Sequence, residues 1–310
     1  MSSLHEALQE YLALRRALGF KLEKVEATLR RFVEFAEAEG ACFITTELAL
    51  RWAQTPAHTD PAYQALRLGM VRLFARHCSS LDPRTEVPPA ELLPHKLRRQ
   101  TPYLYSDTEI VRLVEAARQL PSRTGLRAAT ISTLLGLIAV TGMRRSEPIA
   151  LDREDVDLTH GVITIRRSKF DKSRCLPLHP STRQALERYR AERDRLRPRP
   201  QTPSFFVSEQ GTRVSQWALY AAFVKVSREI GLRGPTDHCG PRLHDLRHTF
   251  ALRTILGWYR DGQDVERLLP RLATYLGHTH VTDTYWYLTA TPELLHAAAL
   301  RLDSAQEVRP

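Results

Sequence analysis

The sequence predicts a mainly α chain with a small antiparallel β-sheet, an α+β architecture spread over two domains. Three observations carry that expectation. Apolar residues recur at helical spacing through most of the 310 residues. One region, Val162 to Leu178, carries a clear strand signature. A proline-rich, basic stretch separates an N-terminal helical block from a longer second block.

Residues 3–80 read as four helices. Leu4, Leu8, Tyr11, Leu12 and Leu14 mark the first, and Val25, Leu29, Phe32 and Phe35 the second, with Gly40 suited to its C-terminal stop. Thr45 or Thr46 can cap a short third. Asp60 before Pro61 opens a fourth, which carries Leu66, Val71, Leu73 and Phe74. From Leu81 to Pro102 five prolines accompany Lys96, Arg98 and Arg99, as expected of an extended basic linker. The domain boundaries that follow are 1–82, a linker at 83–103, and 104–310.

The second block opens with a capping box, Ser106-Asp107-Thr108-Glu109, ahead of Ile110, Leu113 and Val114. A more hydrophobic helix bearing Ile131, Leu134, Leu135, Ile138 and Val140 ends near Thr141-Gly142. Val162–Arg166 and Arg174–Leu178 flank the polar turn SKFDK as a hairpin would. Further helices are expected at 181–196, 215–230, 243–259, 264–276 and 291–302, the last capped by Thr291 with Pro292 in its first turn.

Charge narrows the function. Forty-five Lys and Arg against 35 Asp and Glu give +10, which favours a polyanionic partner, because cations that meet phosphates release condensed counterions. The four cysteines, Cys42, Cys78, Cys175 and Cys239, are far apart, so neither a disulfide framework nor a zinc site is expected. No apolar run approaches the ~20 residues of a membrane span. The opening MSSLHEALQEY lacks a signal-peptide layout, so the expected compartment is a prokaryotic cytosol, at the nucleoid.

Four segments place cations, imidazoles and a tyrosine in a suggestive order. In TGMRRSEPIAL, Arg144 directly follows a buried helix and can offer a planar fork to a phosphate; taken alone, it equally fits a helix-terminal pair with Glu147. Lys169 sits in the hairpin turn, with Lys172 and Arg174 close by; such lysines can enter a DNA groove or simply be solvated. In HDLRHTF, His244 and Arg247 are three apart and share a helix face. In LGHTHVTDTYWYL, Gly277 can end a helix at His278, and Tyr287 follows nine residues on. Its phenolic oxygen is a nucleophile if nearby cations stabilise the phenolate, and a core aromatic otherwise.

In that order and spacing, the four segments resemble the tyrosine recombinase (phage integrase) family. TGMRRSE is similar to its first arginine motif, HDLRHTF to its His-x-x-Arg motif, and LGHTHVTDTYWY to its Leu-Gly-His segment with the tyrosine nine positions later. SKFDKSRCLPLHP resembles its strand pair carrying a lysine. Ser168 and Phe170 flank Lys169 where members often have glycine, and Met143 stands where leucine is commoner. The match is dense from about Thr101 to Leu300; the first ~95 residues resemble the helical, SAM-like core-binding domain by position and helical pattern.

The resemblance implies a site-specific recombinase that cuts and rejoins DNA through a 3′-phosphotyrosyl link. Tyr287 would be the nucleophile, and Arg144 and Arg247 would stabilise the transition state. Lys169 would be the general acid and His244 the general base, while His278 would hydrogen-bond the phosphate. Glu147 would orient its neighbours. Lys96, Arg98, Arg99, Lys172 and Arg174 are the expected DNA-binding cations. The resemblance also implies double-stranded DNA as partner, no cofactor or metal, no membrane, and a homo-tetramer on paired sites, alone or with related recombinases. Two rival functions fit much of this pattern: type IB topoisomerase-like relaxation, and a catalytically silent DNA-binding relative. Integration, excision and transposition are all open.

Overall fold

The computed structural model describes residues 3–55, 59–94, 101–166, 173–199, 201–237, 239–278, 280, 282–285 and 287. The chain divides into two compact units, Met1–Gln100 and Thr101–Pro310. The expected helix at 291–302 lies outside the described residues.

The N-terminal unit is built from α1 (Leu4–Ala17), α2 (Glu23–Ala38), α3 (Thr46–Gln54) and α4 (Pro61–Cys78). Their starts follow from capping chemistry. Ser3 and Glu6 form a reciprocal capping box, Thr45 accepts from Leu48 N–H, and Asp60 accepts from Ala62 N–H ahead of Pro61. Leu8, Leu12, Leu29, Phe32, Val71 and Phe74 meet in one core, whereas Leu14, Leu66 and Leu73 face outward.

Part of the proline-rich stretch packs on the N-terminal unit. Glu86 N–H donates to the Ile44 carbonyl at 2.8 Å, the Glu86 carboxylate accepts from Thr46 N–H, and Leu93 joins the N-terminal core. Residues 83–93 therefore fold back onto the helices. Proline forbids helix but not an extended strap that hydrogen-bonds through its neighbours.

The C-terminal unit is organised around α6 (Leu126–Thr141), which is apolar on every side and buried, as such a helix must be. Packed against it are α5 (Asp107–Arg118), α8 (Pro180–Leu196) and α10 (Asp245–Arg260). The short α7 (Ser146–Ala150) follows it in the chain, and α9 (Gln216–Glu229) packs on α5. Thr130 and Tyr189, which bring hydroxyls into this core, are paired. Thr130 donates to the Val207 carbonyl at 2.9 Å, and the Tyr189 hydroxyl accepts from Val207 N–H at 3.1 Å.

The expected hairpin is part of a three-stranded antiparallel sheet in the order β1-β2-β3. Its strands are β1 (Val156–Asp157), β2 (Val162–Ile165) and β3 (Arg174–Pro177). Ile165 pairs with Arg174 and Ile163 with Leu176. The two-residue β1 is too short to show an alternating pattern, so only its pairing identifies it. Among the described residues, the last helices are α11 (Val265–Leu276) and the single turn α12 (Thr282–Tyr285).

Leu134 is fully buried at the centre of the C-terminal core. Leu134→Ala should lower unfolding free energy by about 2–5 kcal/mol, measured by urea denaturation, through lost burial and the cavity left behind.

Candidate active site

The site begins where two helices stop. Gly142 ends α6 at φ 62° and Gly277 ends α11 at φ 71°, both in the left-handed region that glycine adopts without strain. Helix C-termini present carbonyl oxygens without intrahelical donors and carry partial negative charge. Three arginines take up those oxygens. Arg247 donates to the Gly142 carbonyl through Nη1 and to the Leu276 carbonyl through Nη2, each at 2.9 Å. Arg144 donates to the Gly277 carbonyl at 2.5 Å, and Arg174 Nε to the Tyr275 carbonyl at 2.7 Å.

Glycine is required twice over, because no side chain fits. A Cβ at Gly142 would lie 2.5 Å from Phe250 Cδ1, and one at Gly277 would lie 2.7 Å from Arg174 Nη1 and 3.2 Å from Arg144 Nη1.

Glu147 joins the arginines from α7. Its carboxylate accepts from Arg144 N–H at 2.8 Å, from Arg144 Nη1 at 2.9 Å, and from both terminal nitrogens of Arg174 at 3.0 and 2.8 Å. Burial alone would raise its pKa, but Arg174 and then Arg144 bring it below the usual carboxylate value. The Arg174–Glu147 pair is held with side chains 9% and 5% exposed, unlike surface pairs such as Arg118–Glu115. Exposed pairs are worth at most about 1 kcal/mol, whereas breaking a buried one costs about 3–5.

Arg174, expected among the DNA-binding cations, has its guanidinium bridging Glu147 and the end of α11. The signal was present in the strand, since Arg174 and Leu176 share parity and hence a face, and Leu176 is buried.

The tyrosine and histidines line the same region. Tyr287 is 2% exposed, its ring packed in the apolar cluster of α10 and α11 that includes Leu252, Ile255, Leu272 and Leu276. Tyr285, two residues earlier, is 45% exposed. The Tyr287 hydroxyl lies 3.1 Å from His248 Nδ1. His248 in turn meets His244 edge to face, with ring centroids 4.7 Å apart. The His278 ring runs nearly parallel to Tyr287 at 6.3 Å, and its Nδ1 is 2.7 Å from the hydroxyl of buried Thr284. Tyr287 also acts electrostatically on Arg247.

All three imidazoles are held neutral at pH 7. Burial and Arg247 push His244 down to about 4, although the residue remains exposed at the rim. Burial and His244 push His248 to about 4, and burial, Arg247 and Arg144 do the same to His278. Burial and the neighbouring Arg144 bring Arg247 down to about 10, still cationic at neutral pH.

Of the expected residues, Arg144, His244, Arg247, His278 and Tyr287 converge here. Lys169, Lys172, Lys96, Arg98 and Arg99 lie outside the described residues. His248 was missed. Its signal was the i, i+4 spacing from His244, which puts both imidazoles on one helix face. Among the described residues no group of three or more His, Cys, Asp or Glu could hold a metal ion, and no helix is long and apolar enough to cross a membrane.

The site gathers three arginines around Glu147 and two helix ends, beside a buried tyrosine whose hydroxyl meets an imidazole. The sequence model of the phage integrase family matches residues 104–293. A candidate integrase/recombinase of Sinorhizobium fredii is 48% identical over 313 residues, covering 100% of both chains. The tyrosine recombinase XerD of Neisseria meningitidis serogroup B is 32% identical over 66% of this chain and 64% of its own. Among solved structures, the fold is similar to the XerH site-specific recombinase bound to a palindromic difH substrate, with TM-score 0.67, 20% identity, and 96% and 84% coverage of this chain and that one. It is also similar to the Tn1549 transposon integrase in complex with DNA, with TM-score 0.66, 15% identity, and 96% and 99% coverage. The chain belongs to the phage integrase family, the tyrosine recombinases. Its function is site-specific recombination, breaking and rejoining DNA.

Two outcomes test this geometry. Glu147→Ala should cost about 3–5 kcal/mol by strandings of two guanidiniums without their carboxylate, and Gly142→Ala more than about 2 kcal/mol from strain and the Phe250 contact, both read by denaturation. Acid should also destabilise the fold. An imidazole whose folded pKa is about 4 binds its proton in the unfolded chain from 6.5 downward, so stability falls as pH drops between those values. Melting temperature should decline from pH 7 to 5, and His278→Asn should flatten that decline.

Proposed function

We propose that Tyr287 attacks a scissile DNA phosphate, leaving a 3′-phosphotyrosyl bond and a free 5′-hydroxyl. Arg144 and Arg247 hold the non-bridging oxygens and oppose the charge that grows in the pentacoordinate transition state. His278 hydrogen-bonds the phosphate, and His244 serves proton transfer at Tyr287. Lys169 protonates the departing 5′-oxygen. The observation that carries this reading is the site's composition: a tyrosine hydroxyl on an imidazole, electrostatically coupled to Arg247, whose own neighbour is Arg144.

The guanidiniums provide the positive charge that many nucleases take from metal ions, so strand transfer is expected to proceed without a metal. Because the phosphotyrosyl bond conserves the phosphodiester's energy, a second 5′-hydroxyl can reverse the attack without ATP. The active assembly is a homo-tetramer on two paired double-stranded sites. A related fold, lambda integrase, is known as a tetramer bound to a Holliday junction, with TM-score 0.63 and 18% identity. The N-terminal helical unit and the basic residues Lys96, Arg98, Arg99 and Lys172 grip the duplex, and the setting is the prokaryotic cytoplasm at the nucleoid.

A nicked suicide substrate carrying the target site should trap a covalent protein–DNA complex in EDTA. Tyr287→Phe should abolish it, and Arg144→Ala should slow it by about 10²–10³-fold. A covalent complex that survives Tyr287→Phe would sink the mechanism. Relaxation of plasmids lacking the site would point to topoisomerase-like action instead.

A further inference from the structure

The hydrogen bond to Tyr287 comes from a residue outside the recombinase set derived above. His248 lies one helical turn beyond His244 on α10, directly after Arg247. Its Nδ1 lies 3.1 Å from the Tyr287 hydroxyl, with ring centroids 5.5 Å apart and an interplanar angle of 61°. The tyrosine ring is packed in the apolar cluster of α10 and α11, which fixes where its hydroxyl oxygen sits.

Resting on the reading of Tyr287 as nucleophile, we infer that His248 is the group that takes the tyrosine's proton. With its own proton on Nε2, His248 accepts the Tyr287 O–H at Nδ1. As the phenolic oxygen bonds to phosphorus, its O–H bond breaks and an Nδ1–H bond forms, while the P–O5′ bond breaks and the departing oxygen is protonated by Lys169. In the return step the incoming 5′-hydroxyl gives its proton to Lys169, and His248 returns its proton to the departing tyrosine oxygen. His244 then acts through His248, against which it stands edge to face.

The surroundings suit this role. Among the described residues, the charged and titratable groups facing His248 include His244, Asp245, Arg242 and Arg247 from α10 and the turn before it, and Tyr287 from the C-terminal segment. Burial first, and His244 next, hold the imidazole neutral down to about pH 4, so the lone pair on Nδ1 is available throughout the neutral range. A core histidine that merely packed against Tyr287 would need no such ring orientation.

The test is single-turnover formation of the covalent complex on the suicide substrate across pH 5–9, with DNA binding by mobility shift and melting temperature measured in parallel. Four proteins are compared: wild type, Tyr287→Phe, His248→Phe and His248→Asn. His248→Phe keeps ring bulk; it should bind DNA normally yet cleave about 10²-fold more slowly, with a rate that climbs toward high pH as hydroxide replaces the lost base. His248→Asn keeps an acceptor near the Nδ1 position but cannot take a proton, so it should be comparably slow. Wild-type rates in His248→Asn would overturn the inference, reducing the residue to a hydrogen-bonding strut, and this variant decides if His248→Phe fails to fold. An unchanged rate and pH profile in His248→Phe would overturn it too. In either case an inactive Tyr287→Phe would leave the nucleophile assignment standing, whereas covalent complex from Tyr287→Phe would remove both.

Discussion

Three guanidinium groups are packed together at the ends of α6 and α11, and the rest of the catalytic unit is arranged so that this is tolerable. Burying a cation is costly unless it is paired and hydrogen-bonded. Here Arg144, Arg174 and Arg247 face one carboxylate, Glu147, leaving a formal excess of two positive charges. Helix C-terminal carbonyls make up part of the difference, since their oxygens need donors and carry negative partial charge. Arg247 is 2% exposed and survives there because the ends of two helices accept from it. The excess charge is the useful part: it is what a phosphate would neutralise.

That arrangement constrains distant parts of the chain at once. The end of α6 must meet the end of α11, the start of α10 must reach both, and β3 must deliver Arg174 to Glu147. The glycines at 142 and 277 are the points of closest approach, where a methyl group would strike Phe250 or the guanidiniums themselves. Catalytic and structural demands coincide here, so Arg174 and Glu147 belong to the site although neither needs to touch DNA.

The same positive field shapes the histidines. Burial disfavours an imidazole's protonated form, and nearby cations add to the effect. His244, His248 and His278 are therefore all kept as neutral rings that can accept as well as donate.

The amino-acid sequence by itself determined the helices, because capping residues and apolar periodicity are local. Ser106 with Glu109, Asp60 with Pro61, and the all-apolar α6 each announce themselves within a few residues. It also singled out the segments that the fold brings together, since Arg144, His244, Arg247, His278 and Tyr287 stand in family order. Tertiary structure decided how those side chains are used. Arg174 was a cation at the start of a predicted strand until the fold set it against Glu147, 27 positions away, and His248 was an extra imidazole until Tyr287 arrived from 39 positions downstream. The two-residue β1 and the fold-back of residues 83–93 likewise depend on partners distant in the chain. A side chain's type and parity are written locally, but its partner is chosen by packing, and the partner decides whether a charge binds DNA or holds the protein together.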